Sequence, residues 1–232
     1  MVSKANSYII ENIKNITQKI SLAVAQSSKT QHCKLVAVSK TKPMEDIITA
    51  YEGGHRQFGE NYIEEFLEKI EKFNSMTAQQ VESPEEESKL PMAFYSDIQW
   101  HFIGHIQSNK AKKLIDGSKN IRNFLIETID SEKLANKINK ECEKIQRQEP
   151  VGVLVQVLTS DEGTKFGVQQ DQVHDLVSYI YNSCPYLRFR GLMTMGRLHD
   201  IEGFKVLFIF IKIIIANVSS QRIDLEGASN QQ

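Results

Sequence analysis

A lysine at the end of a short apolar run is the residue of this sequence whose position best suits covalent chemistry. Residues 35–38 are apolar and rich in valine, which is typical of a short strand buried on both faces of a parallel sheet. Because side chains alternate along a strand, Lys40 is predicted to point to the same side as Val36 and Val38. Burial there would disfavour the charged ammonium, and a neutral amine can condense with an aldehyde to form a Schiff base. A solvated lysine at a strand end remains the alternative from this segment alone.

The elements that must position this lysine are strands and helices in regular alternation. Pro43 follows the lysine and suits the first turn of a helix. Alternating short strands and helices predict βαβ units with a parallel sheet, either doubly wound or a barrel lacking its last members. The absence of a glycine-rich phosphate loop after the first strand disfavours a Rossmann dinucleotide fold. Helices are predicted over 5–27 and after each of the first five strands, and the strands over 35–38, 56–59, 98–103, 123–128, 151–158 and 187–193.

Composition narrows the class of protein. The chain has 232 residues, of which 41% are hydrophobic and 25% charged, as in ordinary globular domains. The formal net charge of -1 gives no global field that would recruit nucleic acid or an anionic membrane. The first residues lack the apolar core of a signal peptide. Cys33, Cys142 and Cys184 form no metal-type pair, so we predict no metal site and expect reduced packing thiols in the cytoplasm, with the mitochondrion as the other candidate compartment.

Five stretches together resemble one protein family, although none would suffice alone. They match in the family's order over about residues 8–196 and resemble the pyridoxal phosphate homeostasis protein family, whose members look like the barrel domain of alanine racemase standing alone. The stretches are LVAVSKTKP at 35–43, FGENY at 58–62, WHFIG at 100–104 with Gln107 and Asn109-Lys110, GTKFG at 163–167 and RGLMT at 190–194.

The resemblance implies an α/β fold of the (β/α)8 barrel type seen in the N-terminal domain of alanine racemase. It also implies pyridoxal 5′-phosphate bound through a Schiff base to Lys40, the lysine that the strand argument selects independently. Members of the family are regarded as intracellular carriers or buffers of this cofactor, without established turnover. The implied partners are therefore the small-molecule cofactor and pyridoxal phosphate-dependent apoenzymes, and neither nucleic acid nor a membrane is expected.

Four further residues lie within or directly beside the resembling motifs. Asn61 follows a short strand, where its amide could hydrogen-bond the cofactor's ring oxygen or the surroundings of Lys40, or else cap the next helix. Met193 ends the sixth strand and could lie against the pyridine ring or pack in the core. His101 and His105 flank Gly104, and we expect structural roles for both.

The chain departs from the family pattern after Gly196. The expected strand ends, thought to cradle the phosphate and face the pyridine nitrogen, do not appear. We therefore expect a barrel domain over 1–204 with its last two βα units missing or replaced, a surface insertion loop at about 73–97, and a divergent apolar run with a polar tail over 205–232. The apolar run is too short to span a bilayer. The expected consequence is that Lys40 keeps its chemistry while affinity for the cofactor falls.

Two other functions stay open from the sequence. A pyridoxal phosphate-dependent racemase-like enzyme, or another Schiff-base lysine enzyme, would require a second acid or base opposite Lys40. A chain that acts only through interactions, or a non-functional fragment, would fail to fold as a soluble species without a partner. Turnover of an amino acid would separate the enzyme from the carrier.

Overall fold

The computed structural model describes residues 4–79, 95–159 and 166–195. The chain divides into two compact units, one made of residues 1–102 with 121–124 and the other of residues 103–120 with 125–232. Among the described residues, no helix is both long enough and apolar enough to cross a membrane. The region predicted to diverge, 205–232, lies outside the described residues, as does the 80–94 part of the predicted insertion.

The first unit contains three parallel strands separated by helices. Val38 of β1 pairs with Gly59 of β2, and Gly59 pairs with His101 of β3. Aromatic side chains of α3 cover one face of these strands, since Phe66 contacts both Trp100 and Phe102. The elements are α1 (Lys4–Gln26), β1 (Ala37–Val38), α2 (Met44–Glu52), β2 (Gln57–Glu60), α3 (Ile63–Gln79) and β3 (Gln99–Phe102).

The first strand is shorter and more open than the sequence suggests. We predicted a strand over 35–38 that is buried on both faces, but β1 covers only Ala37–Val38 and the Val38 residue is 49% exposed. The physical reason is that α3 packs on the opposite face, where Phe58 and Glu60 of β2 are buried. An apolar run alone does not reveal which of its two faces will be covered.

The insertion also begins later than predicted. We expected loop structure from about residue 73, but α3 continues to Gln79. Phe73 is buried, with its ring 4.7 Å from that of Tyr95 and 5.8 Å from that of Trp100. Burial of this aromatic side chain offsets the entropy lost when another turn of helix is ordered. The polar residues around Phe73 led us to predict a loop instead.

The second unit repeats the strand–helix pattern. Strands β4, β5 and β6 are parallel neighbours in that order. Ser131 caps α5, because the Leu134 backbone N–H donates to its Oγ over 3.4 Å. The elements are a 3-10 turn (Ser108–Lys110), α4 (Ala111–Gly117), β4 (Phe124–Ile129), α5 (Glu132–Lys144), β5 (Val151–Gln156), a second 3-10 turn (Gln170–Gln172), α6 (Val173–Ser183) and β6 (Leu187–Met193).

Six strands therefore alternate with helices, and the strands of each unit pair in parallel and in chain order. This confirms the predicted α/β class. All three cysteines are free thiols. Cys142 and Cys184 are buried packing residues as expected, whereas Cys33 is exposed, so the packing role predicted for it was wrong.

Candidate functional site

Lys40 lies in a tight turn directly after the first strand. The Ser39 N–H still pairs with the Gly59 carbonyl over 2.9 Å, and the Lys42 N–H closes the turn on the Ser39 carbonyl over 3.1 Å. Thr41 adopts a left-handed conformation with φ of 61°, which is uncommon for a β-branched residue. The side chain of Lys40 is half-buried, and its ammonium has no hydrogen-bond or ion-pair partner among the described residues of the first unit.

Asn61 occupies the matching position at the end of the neighbouring strand. Because Val38 is paired with Gly59, two further steps along each strand lead to Lys40 and Asn61. The Ser39 and Glu60 side chains meet on the face covered by α3. Because side chains alternate between the two faces of a strand, the next residue after each of them is directed to the other face. No described residue of this unit hydrogen-bonds the Asn61 side chain, so it does not cap α3.

A buried ionic network lies behind this pair of residues. Lys69 Nζ is 2.7 Å from each of three oxygen atoms, namely the Ser39 carbonyl, Glu60 Oε1 and Glu65 Oε1. Glu65 Oε1 also accepts the Thr41 N–H over 2.5 Å. Sequence reasoning missed this network. The spacing of Glu65 and Lys69, four residues apart on one helix, predicts an ion pair, but no sequence pattern predicts that Lys69 would be buried.

His101 belongs to a ladder of polar side chains on the face to which Asn61 is directed. Its Nε2 lies 2.9 Å from Gln57 Oε1, and Gln57 Nε2 donates to Gln99 Oε1 over 2.6 Å. An amide oxygen can only accept, so this contact is a hydrogen bond in the histidine tautomer that has its proton on Nε2. These interactions agree with the structural role expected for His101.

Met193 lies in the second unit and is half-buried at the carboxyl end of β6. Its carbonyl accepts the Val157 N–H over 2.9 Å. The next residue is Thr194, whose Oγ1 lies 2.6 Å from Thr159 Oγ1. The Thr194 hydroxyl donates to the Val157 carbonyl over 3.2 Å. The ends of β5 and β6 are thus tied together next to Met193.

His105 forms a second polar cluster in the same unit. Its Nδ1 is 3.5 Å from Asp130 Oδ2, and its ring stacks on that of Phe166 with centroids 3.5 Å apart. Phe166 is held by Gln156, whose Nε2 donates to its carbonyl over 2.8 Å. His105 is therefore engaged in packing and pairing, as expected for a structural histidine. Within the described part of the chain, no group of His, Cys, Asp and Glu side chains is arranged to hold a metal ion.

The opposite, amino ends of β2 and β3 are held by a cluster with shifted pKa values. Tyr51 donates its hydroxyl to Asp97 Oδ1, and Arg56 Nε donates to Asp97 Oδ2, both over 2.6 Å. Desolvation, followed by the bond to Asp97, raises the pKa of Tyr51 to about 12. Desolvation opposes ionisation of Asp97, but the hydrogen bonds from Tyr51 and Arg56 outweigh it and lower the pKa of this carboxyl group.

Comparison with known proteins identifies the family of this chain. Residues 12–207 match the alanine racemase N-terminal domain family. Proteins named pyridoxal phosphate homeostasis protein are 42% identical over 170 residues in Mus musculus, 37% over 194 in Homo sapiens and 37% over 188 in Pasteurella multocida. The chain belongs to the pyridoxal phosphate homeostasis protein family. These alignments include 73%, 82% and 81% of this chain, and 55%, 64% and 70% of the respective relatives.

Several solved structures share the fold of this chain. A protein of unknown function from Bifidobacterium adolescentis has a TM-score of 0.75 at 25% identity, covering 95% of this chain and 83% of its own. PipY of Synechococcus elongatus, solved with pyridoxal phosphate bound, has a TM-score of 0.64 at 21% identity, covering 92% and 82%. Alanine racemase of Clostridium difficile has a TM-score of 0.57 at 14% identity, covering 92% and 47%, and shares the fold. The predicted barrel-domain fold of the alanine racemase kind is confirmed.

Proposed function

We propose that this chain binds pyridoxal 5′-phosphate through a Schiff base to Lys40 and serves as an intracellular carrier or buffer of the cofactor. The observation that carries the proposal is the Lys40 ammonium. It lies at the carboxyl end of a parallel strand, half-buried and without a carboxylate partner among the described residues of its unit. Active sites of (β/α)8 barrels lie at that end of the strands. The names of the relatives and the bound cofactor in PipY support the same ligand.

The covalent step requires an amine that can give up its proton. The Lys40 nitrogen attacks the aldehyde carbon, a carbon–nitrogen double bond forms, and water leaves with the aldehyde oxygen. A carboxylate beside the amine would favour the charged form, and in the first unit the nearby carboxylates of Glu60 and Glu65 are engaged by Lys69 instead. When bound, the cofactor itself supplies the electron sink.

Asn61 is proposed as the second contact to the cofactor. Its side chain amide is half-buried and unengaged within the described first unit, one strand away from Lys40. An amide NH2 group can donate to the oxygen substituent on the pyridine ring. Met193 is proposed as an apolar contact to the ring, from the carboxyl end of β6. A polarizable thioether suits contact with an aromatic ring.

The role in homeostasis is proposed from the relatives' names. A carrier holds the reactive aldehyde and releases it to apoenzymes, so these are the proposed protein partners, in the cytoplasm or the mitochondrion. The sequence after residue 196 departs from the pattern that the family resemblance implies, and we propose that this departure weakens binding of the phosphate. Reversible binding of modest affinity is the expected behaviour.

The test is a titration of the purified chain with pyridoxal phosphate, followed by borohydride reduction and mass spectrometry. We expect a new absorbance band in the visible to near-ultraviolet region and a reduced adduct on Lys40. Lys40→Ala should abolish both. Lys42→Ala, which removes an exposed lysine two residues away, is the matched control and should leave both unchanged. A band that survives in Lys40→Ala would remove Lys40 from the proposal.

A further inference from the structure

Lys69 makes three hydrogen bonds to oxygen atoms, one of them to the main chain beside Lys40. The residue is 5% exposed, and its Nζ donates to the Ser39 carbonyl, the last carbonyl before Lys40. Through Glu65 it is linked to the Thr41 N–H, the first N–H after Lys40. The backbone on both sides of Lys40 is therefore held by one buried ammonium and its carboxylate partner.

The acidic part of this network is costly to bury. Glu60 is 0% exposed, and its Oε1 accepts from both the Ser39 hydroxyl, over 2.6 Å, and Lys69. Its Oε2 is the one buried side-chain nitrogen or oxygen atom of the described residues that has no hydrogen-bond partner. Burying an ion pair and an unpartnered oxygen rarely gains stability over apolar packing. A network of this kind beside a functional lysine points to positioning rather than to stability.

We propose that Lys69, with Glu60 and Glu65, is the positioning group of Lys40: it holds the left-handed turn at Thr41 so that the Lys40 amine faces away from both carboxylates. This inference rests on the proposed function of Lys40. The backbone conformation of Thr41, with φ of 61°, is unfavourable for a non-glycine residue, and the hydrogen bond from its N–H to Glu65 offsets that cost. Lys69 is not placed to compete for the aldehyde, because its nitrogen is buried and lies 2.7 Å from each of three oxygen atoms.

The experiment compares variants by the rate and the selectivity of adduct formation on the full chain. Glu65→Ala removes the acceptor of the Thr41 N–H at a side chain that is 25% exposed, and we expect the variant to fold because Lys69 keeps its contacts to Glu60 and to the Ser39 carbonyl. We expect adduct formation at Lys40 to slow about 10- to 100-fold, as for other losses of reactive geometry, and the adduct to spread to other lysines. Glu65→Gln keeps an amide oxygen that can accept the Thr41 N–H and should retain selectivity for Lys40.

Lys137→Met is the matched control, because it breaks a Lys–Glu pair that is likewise four residues apart and includes a buried glutamate, Glu141, in the second unit. It should leave both rate and selectivity unchanged, and thermal unfolding should confirm that all compared variants are folded. Unchanged rate and selectivity in folded Glu65→Ala would overturn the positioning role while leaving the proposed function intact. Absence of a Lys40 adduct in the natural chain would instead overturn the proposed function, and the inference with it.

Discussion

The hydroxyl of Ser39 donates to Glu60 Oε1 over 2.6 Å, joining the ends of two parallel strands on their covered face. Each of these residues is followed directly by a proposed cofactor contact, Lys40 after Ser39 and Asn61 after Glu60. Because side chains alternate, the buried bond on one face directs the two functional side chains to the other. The polar network and the candidate site thus lie on opposite faces of the same two strand ends.

Asn61→Ala should weaken retention of the cofactor without destabilising the chain. The side chain makes no hydrogen bond to the described residues of its unit, so its removal leaves no buried partner unsatisfied. We expect affinity for pyridoxal phosphate to fall about 5- to 10-fold, the worth of one neutral hydrogen bond, with an unchanged unfolding midpoint. Equilibrium dialysis and urea unfolding measure the two quantities, and a lowered midpoint would indicate a structural role instead.

Ser39→Ala should lower stability. It removes one of the two donors to Glu60 Oε1 on a carboxylate whose other oxygen is already unpartnered. Hydrogen bonds to buried charged groups contribute about 1.5–3 kcal/mol, so a loss of about 2 kcal/mol in the free energy of unfolding is expected. Ser21→Ala, which removes an exposed hydroxyl on α1, is the control and should change little. Equal effects of the two substitutions would contradict a stabilising role for the Ser39 bond.

Thiol labelling should distinguish the three cysteines at pH 8. Burial raises the pKa of Cys142 and of Cys184 to about 11, and both side chains are covered, whereas Cys33 is exposed. The thiolate is the reacting form, so iodoacetamide should modify Cys33 first and the other two only after denaturation. Peptide mass spectrometry provides the measurement, and equal labelling of Cys142 in the folded chain would refute the prediction.

The bond between Tyr51 and Asp97 should make stability fall at alkaline pH. The folded-state pKa of Tyr51 is raised to about 12, above an unfolded value of about 10. The stabilising contribution is therefore complete below pH 10 and is lost as the pH rises through 12. Tyr51→Phe lacks this bond, so its stability deficit relative to the natural chain should shrink over that range. Urea midpoints of both chains at pH 8.5 and 11 test this, and a constant deficit would contradict it.

Gly167→Ala should be more damaging than Gly54→Ala. Both glycines have positive φ, 147° at Gly167 and 94° at Gly54. A Cβ added at residue 167 would lie 2.8 Å from the Leu158 backbone nitrogen, whereas a Cβ added at residue 54 would have no described atom within 4 Å. We expect a loss of about 1 kcal/mol for Gly54→Ala from conformational strain alone and of about 3 kcal/mol for Gly167→Ala. Thermal unfolding compares them, and equal losses would show that the close approach is relieved at no cost.

The strand–helix order and the bounds of β6 at 187–193 could be predicted from the sequence, which also made Lys40 a candidate for covalent chemistry. These follow from local signals, because alternation of short apolar runs with amphipathic segments is written into consecutive residues. The family resemblance added the barrel-domain fold, which the comparisons confirm. The roles of Lys40, Asn61 and Met193 remain predictions.

The surroundings of Lys40 could not be predicted from the sequence and became evident in three dimensions. Glu60 and Lys69 are charged residues that composition assigns to a surface, yet they are buried behind the strand ends. Val38, an apolar residue assigned to a core, is half exposed. Burial depends on which face of a strand a distant helix covers, and Lys69 reaches the Ser39 carbonyl from 30 residues along the chain. Local patterns carry no information about contacts of that separation, so the positioning network had to be observed in three dimensions.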